Sequence, residues 1–538
     1  MIPTPPGATA AREGVYSGGA LGDLITAAVL RFGASIAFIA GERAWTYRDS
    51  GEAISRAMQQ LRVLGLQKGD AVAQLSGNRA EMFFIMAACY LMGLKSVTLH
   101  ALASLDDHAY IVDDCEAQVF VAGDDYIARA AAIRSRCASV KYWFTHAPLE
   151  AGAATQTQSP RHFWQEASRF TPNPLRSHCE PEDIIRIAYT GGTTGRPKGV
   201  MLSDRAMLAN MLLFLAEMEW PEQVRVLSPA PISHGAGAMI LPTLARGGTM
   251  VLQQGFECNR VLDAIEKHRI TTIFLVPTMI YALLDHPRTR NADLSSLQLL
   301  YYAASPMAPA RIREAIEVFG PILNQGYGQT EAPNAILLMR KADHLVDDEH
   351  RLGAAGMPYP GVTVRLLDDE DREVAPGESG EICVRGALVM SGYWKQPDET
   401  ARALRNGWLH TGDIAWCDSE GFFHIVDRKK DMIISGGFNV YPREIEDVLT
   451  AHAAVAVAAV IGIPDEKWGE AVKAIIVLRL GMRVEAAELI DLVRAKKGAI
   501  HAPKSVDFIE ALPLTAVGKP DKKALRAPYW AGVTRAVA

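Results

Sequence analysis

Residues 189–200 read YTGGTTGRPKGV, and the reading of this stretch decides the fold. Glycines (Gly191, Gly192, Gly195), hydroxyls (Thr190, Thr193, Thr194) and one lysine (Lys198) follow the apolar run IIRIAY. A strand that feeds a glycine-rich loop is a phosphate cradle. Glycine lets the backbone approach an anion closely, hydroxyls and backbone N–H groups donate to phosphate oxygens, and lysine adds a point charge. A P-loop has Gly followed directly by Lys and then Ser or Thr. Here Arg196 and Pro197 separate Gly195 from Lys198, which argues against a P-loop NTPase.

Working outward, residues 20–175 alternate helical and apolar strand patterns: strands over 70–75 and 118–122, a helix over 79–92. Such βα alternation predicts an α/β fold with a largely parallel sheet. Residues 151–174, rich in Pro, Thr, Gln and Ser, read as a loop. The pattern resumes with a strand over 272–276 and a helix over 311–319. From 362 to 385 alternating stretches (VTVRLLD, GEICVRG) predict a β-rich subdomain. After the polar run DRKKD a second shift follows, with a helix over 443–449, strands over 453–463 and 471–478, and a helix over 485–497. The expected domains are a large one over 1–427 and a small one over 428–538.

Composition narrows the function. At 538 residues the chain exceeds one ordinary domain. A net charge of −6 carries no basic footprint for nucleic acid. Seven scattered cysteines without a C-x-x-C pair suggest free thiols and a cytoplasmic location. The longest apolar run, 82–94, is shorter than the roughly 20 residues that span a bilayer and reads as a buried helix. The N-terminus lacks the basic-then-apolar order of a signal peptide.

Further segments carry chemistry. NQGYGQTE at 324–331 combines Tyr327, to stack on a purine, Thr330, to donate to a phosphate, and Glu331, an oxygen ligand for magnesium. An ordinary strand-to-helix turn has the same glycines. GWLHTGD at 407–413 ends in Asp413, a carboxylate at a tight turn suited to the two hydroxyls of a ribose, and IVDR at 425–428 offers Arg428. LPLTAVGKPDKK at 512–523 places Lys519 after a glycine, where it can swing in to stabilise developing negative charge.

In this order the segments resemble the signature of the adenylate-forming superfamily, which includes acyl- and aryl-CoA synthetases, nonribosomal peptide adenylation domains and firefly-type luciferases. The resemblance covers about residues 185–526, and the last two segments look most like bacterial fatty-acyl-CoA synthetases. It implies a large N-terminal α/β domain with a β-rich subdomain and a small, mobile C-terminal α+β domain. It implies ATP, magnesium and coenzyme A as cofactor and co-substrates. Residues Thr190–Lys198 would close over the β- and γ-phosphates, Thr330 would contact the α-phosphate, and Glu331 would bind magnesium. Tyr327 with the backbone at Ala304 and Ser305 would sandwich the adenine, and Asp413 and Arg428 would hold the ribose. Lys519 would bridge carboxylate and α-phosphate. Lys430 occupies the hinge position, and the turn with Gly436 and Gly437 would line the pantetheine tunnel. Two departures are mild: Thr-Gly-Gly opens the loop where Ser-Gly-Ser or Ser-Gly-Thr is common, and AASPM stands where Gly-Ala-Pro is common.

The family's acyl-pocket segment reads PISHGAGAM at 231–239, with His234, Gly235, Ala236, Ala238 and Met239. No acidic residue stands there to pair with an α-ammonium, which weighs against an amino acid. Tyr302, Gly326, Ala332, Pro333 and Ala335 would complete an apolar wall, with His234 gating or lining it. The expected enzyme is an ATP-dependent carboxylate–CoA ligase for an apolar acid, a medium- or long-chain fatty acid first and an aryl or alicyclic acid second. The alternatives are an adenylation enzyme that loads a separate carrier protein and a non-catalytic acyl-adenylate sensor. The partners are small molecules; a homodimer is compatible with these features.

Overall fold

The computed structural model describes residues 19–147, 161–190, 196–428, 431–435, 438–465, 468–515 and 519–531. Gly191, Gly192, Thr193, Thr194, Gly195, Lys430, Gly436 and Gly437 lie outside the described residues, and Arg428 is described by its backbone. The chain divides into two compact units, one of residues 1–216, 223–255 and 387–400, the other of 217–222, 256–386 and 401–538.

The first unit carries an eight-stranded sheet in the order Gly392–Tyr393, Lys198–Ser203, Ile184–Thr190, Lys95–Thr98, Ala71–Leu75, Ala117–Ala122, Tyr142–Thr145, Arg161–His162. Its centre is parallel, as the βα alternation requires, and an antiparallel hairpin joins Ile184–Thr190 to Lys198–Ser203. The apolar run at 82–94 forms the helix Ala80–Met92, buried from Met82 to Met92. Gly93, at φ 68°, ends it with its N–H on the Cys89 carbonyl, a left-handed cap that glycine adopts without strain. The region read as one loop over 151–174 is partly ordered structure, with a strand at Arg161–His162 and a helix at Phe163–Ala167. Polar composition hid a fully buried anchor: Phe163 packs edge-on against Phe144, 5.4 Å between centroids, and beside Trp164.

Asp204 ties the chain start into this unit by accepting hydrogen bonds from Leu21 N on both oxygens, at 3.1 and 3.0 Å. Burial, reinforced by Asp23 and Asp183 and opposed by Leu21 N, raises its pKa from 3.8 to about 6. A carboxyl whose folded pKa exceeds its unfolded value binds its proton more tightly when folded. The stability this contributes is full below the unfolded value and is lost as pH rises through about 6. The always-neutral Asp204→Asn is therefore expected to exceed the wild type in stability by about 1–2 kcal/mol near pH 8 and to lose that margin near pH 4. Urea melts at the two pH values check this.

The second unit has parallel strands Thr272–Leu275, Leu299–Tyr302 and Leu323–Tyr327, continued by antiparallel Leu337–Met339 and Met357–Pro358. The expected β-rich part is a four-stranded antiparallel sheet, Thr363–Leu367, Gly380–Arg385, Leu409–Cys417 and Phe423–Arg428. It reaches past 385 because Leu409, Ala415 and Phe423 supply further buried positions. The C-terminal residues build a five-stranded sheet, with Phe438–Val440, Ile433–Ser435, Gly469–Leu478 and Val455–Asp465 in order and Ser505–Phe508 beside Gly469–Leu478. Helices Pro442–Thr450 and Ala486–Lys497 contribute Ile445, Leu449, Leu489 and Val493 to a core of its own. No helix among the described residues is long and apolar enough to cross a membrane.

Candidate active site

In the first unit the phosphate-loop strands behave as their sequence requires. Thr190 and Lys198 are cross-strand partners at the mouth of the hairpin. Lys198 Nζ lies 2.6 Å from Glu399 Oε2 and 5.4 Å from the Tyr393 ring centroid.

His234 precedes the single turn Gly235–Met239. Its Nδ1 is 3.0 Å from Ser233 Oγ, and the Ser233 carbonyl accepts from Thr98 Oγ1 at 2.9 Å and Arg186 Nη2 at 3.0 Å. The turn is tight: a Cβ on Gly237 would sit 2.2 Å from the Ile232 carbonyl oxygen. Ala236 and Met239 are buried, Ala238 is half-buried and Gly235 exposed. The His100 ring stands edge-on to His234, 4.3 Å between centroids. His100 Nδ1 accepts from Leu102 N at 3.1 Å, which leaves its proton on Nε2. Burial, with His108 nearby, lowers the His100 pKa to about 4. Burial, His100 and Arg186 push His234 well below the usual imidazole range. Both rings are neutral at pH 7 and offer dipoles, not charge.

In the second unit Leu323–Tyr327 delivers Tyr327 to Asp413. Tyr327 Oη donates to Asp413 Oδ2 at 2.6 Å, and Gln329 Nε2 donates to the same oxygen at 2.7 Å and to the Thr411 carbonyl at 2.8 Å. Asp413 is only 3 % exposed. It does not sit at a turn, as its motif suggested. It lies inside the strand Leu409–Cys417, on a bulge: Cys383 pairs with His410 and Glu381 with Ile414, so Thr411, Gly412 and Asp413 stand opposite Ile382 alone. Gly412, at φ 72°, permits the kink. Arg428 is the cross-strand partner of Asp413.

Ala304 has φ 80° in the loop after Leu299–Tyr302. A non-glycine there costs about 1–3 kcal/mol and marks functional loops. Ser305 beside it is half-buried. Thr330 and Glu331 are half-buried on the segment after Tyr327, and they supply only oxygen donors, the set that magnesium prefers. Tyr302 is fully buried with Oη 3.0 Å from His344 Nε2. Gly326 is required by close approach, since a Cβ would lie 2.0 Å from Tyr301 Oη. Ala332 and Ala335 are buried and Pro333 half-buried. Lys519 stands on a hairpin closed by Thr515 N on its carbonyl at 2.7 Å and by its own N on Thr515 Oγ1 at 3.2 Å.

The structure thus gathers Tyr327 and Gln329 around the Asp413 carboxylate and sets the Arg428 backbone in register with it. Sequence reasoning passed over Gln329, although it stands within the quoted YGQTE, and His100, for which no local signal exists. The bulge did have a signal, a glycine inside a strand pattern.

The family model for the AMP-binding enzyme matches residues 25–394, and that for the AMP-binding enzyme C-terminal domain matches residues 444–519. The chain belongs to the AMP-binding enzyme family. It is 43% identical over 526 residues to the medium/long-chain-fatty-acid–CoA ligase FadD8 of Mycobacterium tuberculosis, with 96% of this chain and 91% of that one covered. It is 37% identical over 481 residues to a feruloyl-CoA synthase of Amycolatopsis, covering 89% and 93%. Among solved structures, the amide bond synthetase McbA of Marinactinospora thermotolerans is similar at a TM-score of 0.86 and 33% identity, covering 95% and 99%. Family membership accords with the large and small domains expected from sequence and with the adenylate-forming fold.

Proposed function

We propose that the chain is an ATP-dependent carboxylate–CoA ligase that converts an apolar acid to its acyl-adenylate, releasing pyrophosphate, and then transfers the acyl group to CoA. A medium- or long-chain fatty acid is the first choice and an aryl or alicyclic acid the second. The observation that carries the nucleotide half is the buried Asp413 carboxylate, oriented by Tyr327 Oη and Gln329 Nε2 and suited to the vicinal hydroxyls of a ribose. The relatives described above support the thioester half.

A carboxylate is a poor electrophile because its leaving group would be oxide. Attack on the α-phosphate replaces that leaving group by AMP, which a thiol displaces readily. The first step brings an anion onto a polyanion, so positive charge at the reacting oxygens is the main requirement. Lys519 supplies it by bridging the acid and the α-phosphate, and Thr330 donates to that phosphate. Glu331 would hold magnesium, which when bound neutralises phosphate charge. Thr190, Lys198 and the glycine-rich residues between them take the β- and γ-phosphates. Tyr327, Ala304 and Ser305 take the adenine, Asp413 and Arg428 the ribose, and Gly436 and Gly437 the pantetheine arm. His234, Gly235, Ala236, Ala238, Met239, Tyr302, Gly326, Ala332 and Pro333 take the acyl group. The neutral state of His234 fits a wall for an uncharged acyl chain. A hinge at Lys430 separates a large domain over 1–427 from a small one over 428–538.

A pyrophosphate-release screen over acids of graded length and ring content, with and without CoA, tests this reading. Release is expected for apolar acids, with turnover requiring CoA. Turnover only with a carrier protein or an amine would reassign the acceptor, and no release with any acid would leave a sensor.

A further inference from the structure

The bulge that presents Asp413 is held from behind by one side chain that the nucleotide reading does not use. We propose that Glu381 is a positioning residue for Asp413: its carboxylate braces the bulge at 411–413 so that the Asp413 carboxylate is set for the ribose. The inference rests on the ribose role of Asp413.

A bulge removes backbone groups from the ladder, and a buried N–H without a partner is costly. Gly412 N, displaced in this way, donates to Glu381 Oε1 at 2.8 Å. Glu381 Oε2 lies 3.2 Å from His410 Nδ1, at the start of the same bulge. Thr411 closes the third side by donating Oγ1 to the Ile382 carbonyl at 2.7 Å. Glu381 thus grips the residues on either side of Thr411 and leaves Asp413 little freedom. The brace is itself fixed: Arg405 Nη2 lies 3.6 Å from Glu381 Oε2 and 3.0 Å from Asp371 Oδ1, and Asn406 Nδ2 donates to Asp371 Oδ2 at 2.6 Å. Glu381 is 8 % exposed, with this guanidinium beside its carboxylate.

The same neighbourhood has the outline of a metal site, since ligand atoms of Glu381, Cys383 and His410 lie within 4.8 Å of one another. The Arg405 guanidinium beside Glu381 opposes a cation there, and Gly412 N already occupies one carboxylate oxygen.

The test compares ATP with 2′,3′-dideoxy-ATP by calorimetric titration of the full chain and of Glu381→Ala, Glu381→Gln and Asp413→Ala. The wild type is expected to prefer ATP about tenfold or more, the size of one good charge-assisted hydrogen bond. Asp413→Ala should abolish the preference. Glu381→Ala should abolish most of it while binding dideoxy-ATP within about twofold of wild type. Glu381→Gln keeps an oxygen for Gly412 N and should recover much of it. Equal weakening of both nucleotides in Glu381→Ala would mean plain structural damage and overturn the positioning role. A retained preference in Glu381→Ala, with loss in Asp413→Ala, would overturn it as well. A retained preference in Asp413→Ala would instead remove the ribose reading beneath it. Stoichiometric zinc in the purified protein, lost in Cys383→Ser, would replace the brace by a metal centre.

Discussion

Replacing Lys519 by alanine is expected to slow acyl-adenylate formation about 10²–10³-fold, the range for removal of one group that stabilises transition-state charge. Thioester formation from supplied acyl-AMP should continue near the wild-type rate, because the charge that Lys519 offsets exists only in the first step. The hairpin around Lys519 is closed by backbone bonds and by the bridge between Leu514 and Pro520, none of which uses the lysine side chain. Next to it, Asp521 caps the helix Lys522–Arg526 by accepting from Ala524 N, while Lys522 pairs with Glu446 at 2.8 Å and Arg526 with Asp431 at 2.8 Å. These anchors of the segment are made by groups other than Lys519 Nζ. Pyrophosphate release under single-turnover conditions measures the first step; a wild-type rate in Lys519→Ala would end this assignment. Although burial disfavours its charge, Glu446, Asp427 and Asp431 together hold Lys522 protonated beyond the usual lysine range, so it is a structural cation and not a replacement for Lys519.

The sheet elements were legible because their signals are local. The apolar run at 82–94 and the βα alternation around it correspond to the helix Ala80–Met92 and its parallel neighbours. The four C-terminal elements read from sequence fall within two residues of the observed ones, whereas the short strands Ile433–Ser435, Phe438–Val440 and Ser505–Phe508 and the helix Lys522–Arg526 were not read. The helix and strand at 161–167 were missed because one buried phenylalanine outweighs a polar surrounding. At the site, individual chemistry was readable and the geometry was not. Asp413 was singled out by its carboxylate among glycines, and Gly412 hinted at a bulge, but the register with Gly380–Arg385 that sets the bulge, a pairing about 30 residues distant, is encoded by no local pattern. Gln329 and Glu381 escaped for the same reason: each acts on Asp413 through a long-range contact.

Replacing Lys430 by proline is expected to separate the two half-reactions, with adenylation retained and CoA transfer lost by on the order of 10²-fold or more. Lys430 follows the strand Phe423–Arg428 and precedes Ile433–Ser435, the first strand of the C-terminal sheet. A proline there fixes φ near roughly −65° and restricts the residue before it, so a rotation about this position is suppressed. Among the described residues, the contacts that such a rotation must break include polar ones made by Arg443 and Arg479. Arg443 donates to the Ile425 carbonyl at 2.7 Å and to the Gly353 carbonyl at 3.1 Å, and Arg479 lies 3.6 Å from Asp285 Oδ1 and 3.9 Å from Glu314 Oε2. Asp285 and Glu314 keep the buried Arg311 as a partner at 2.9 and 2.6 Å whether or not Arg479 leaves. Exchange of the Arg479 contacts therefore strands no buried charge. Lys430→Ala, which removes the charge without restricting φ, should retain both steps. Pyrophosphate release and thioester formation from supplied acyl-AMP are measured side by side with a thermal melt. Loss of both steps with a lowered melting point would report a damaged fold, and retention of both in Lys430→Pro would place the hinge elsewhere.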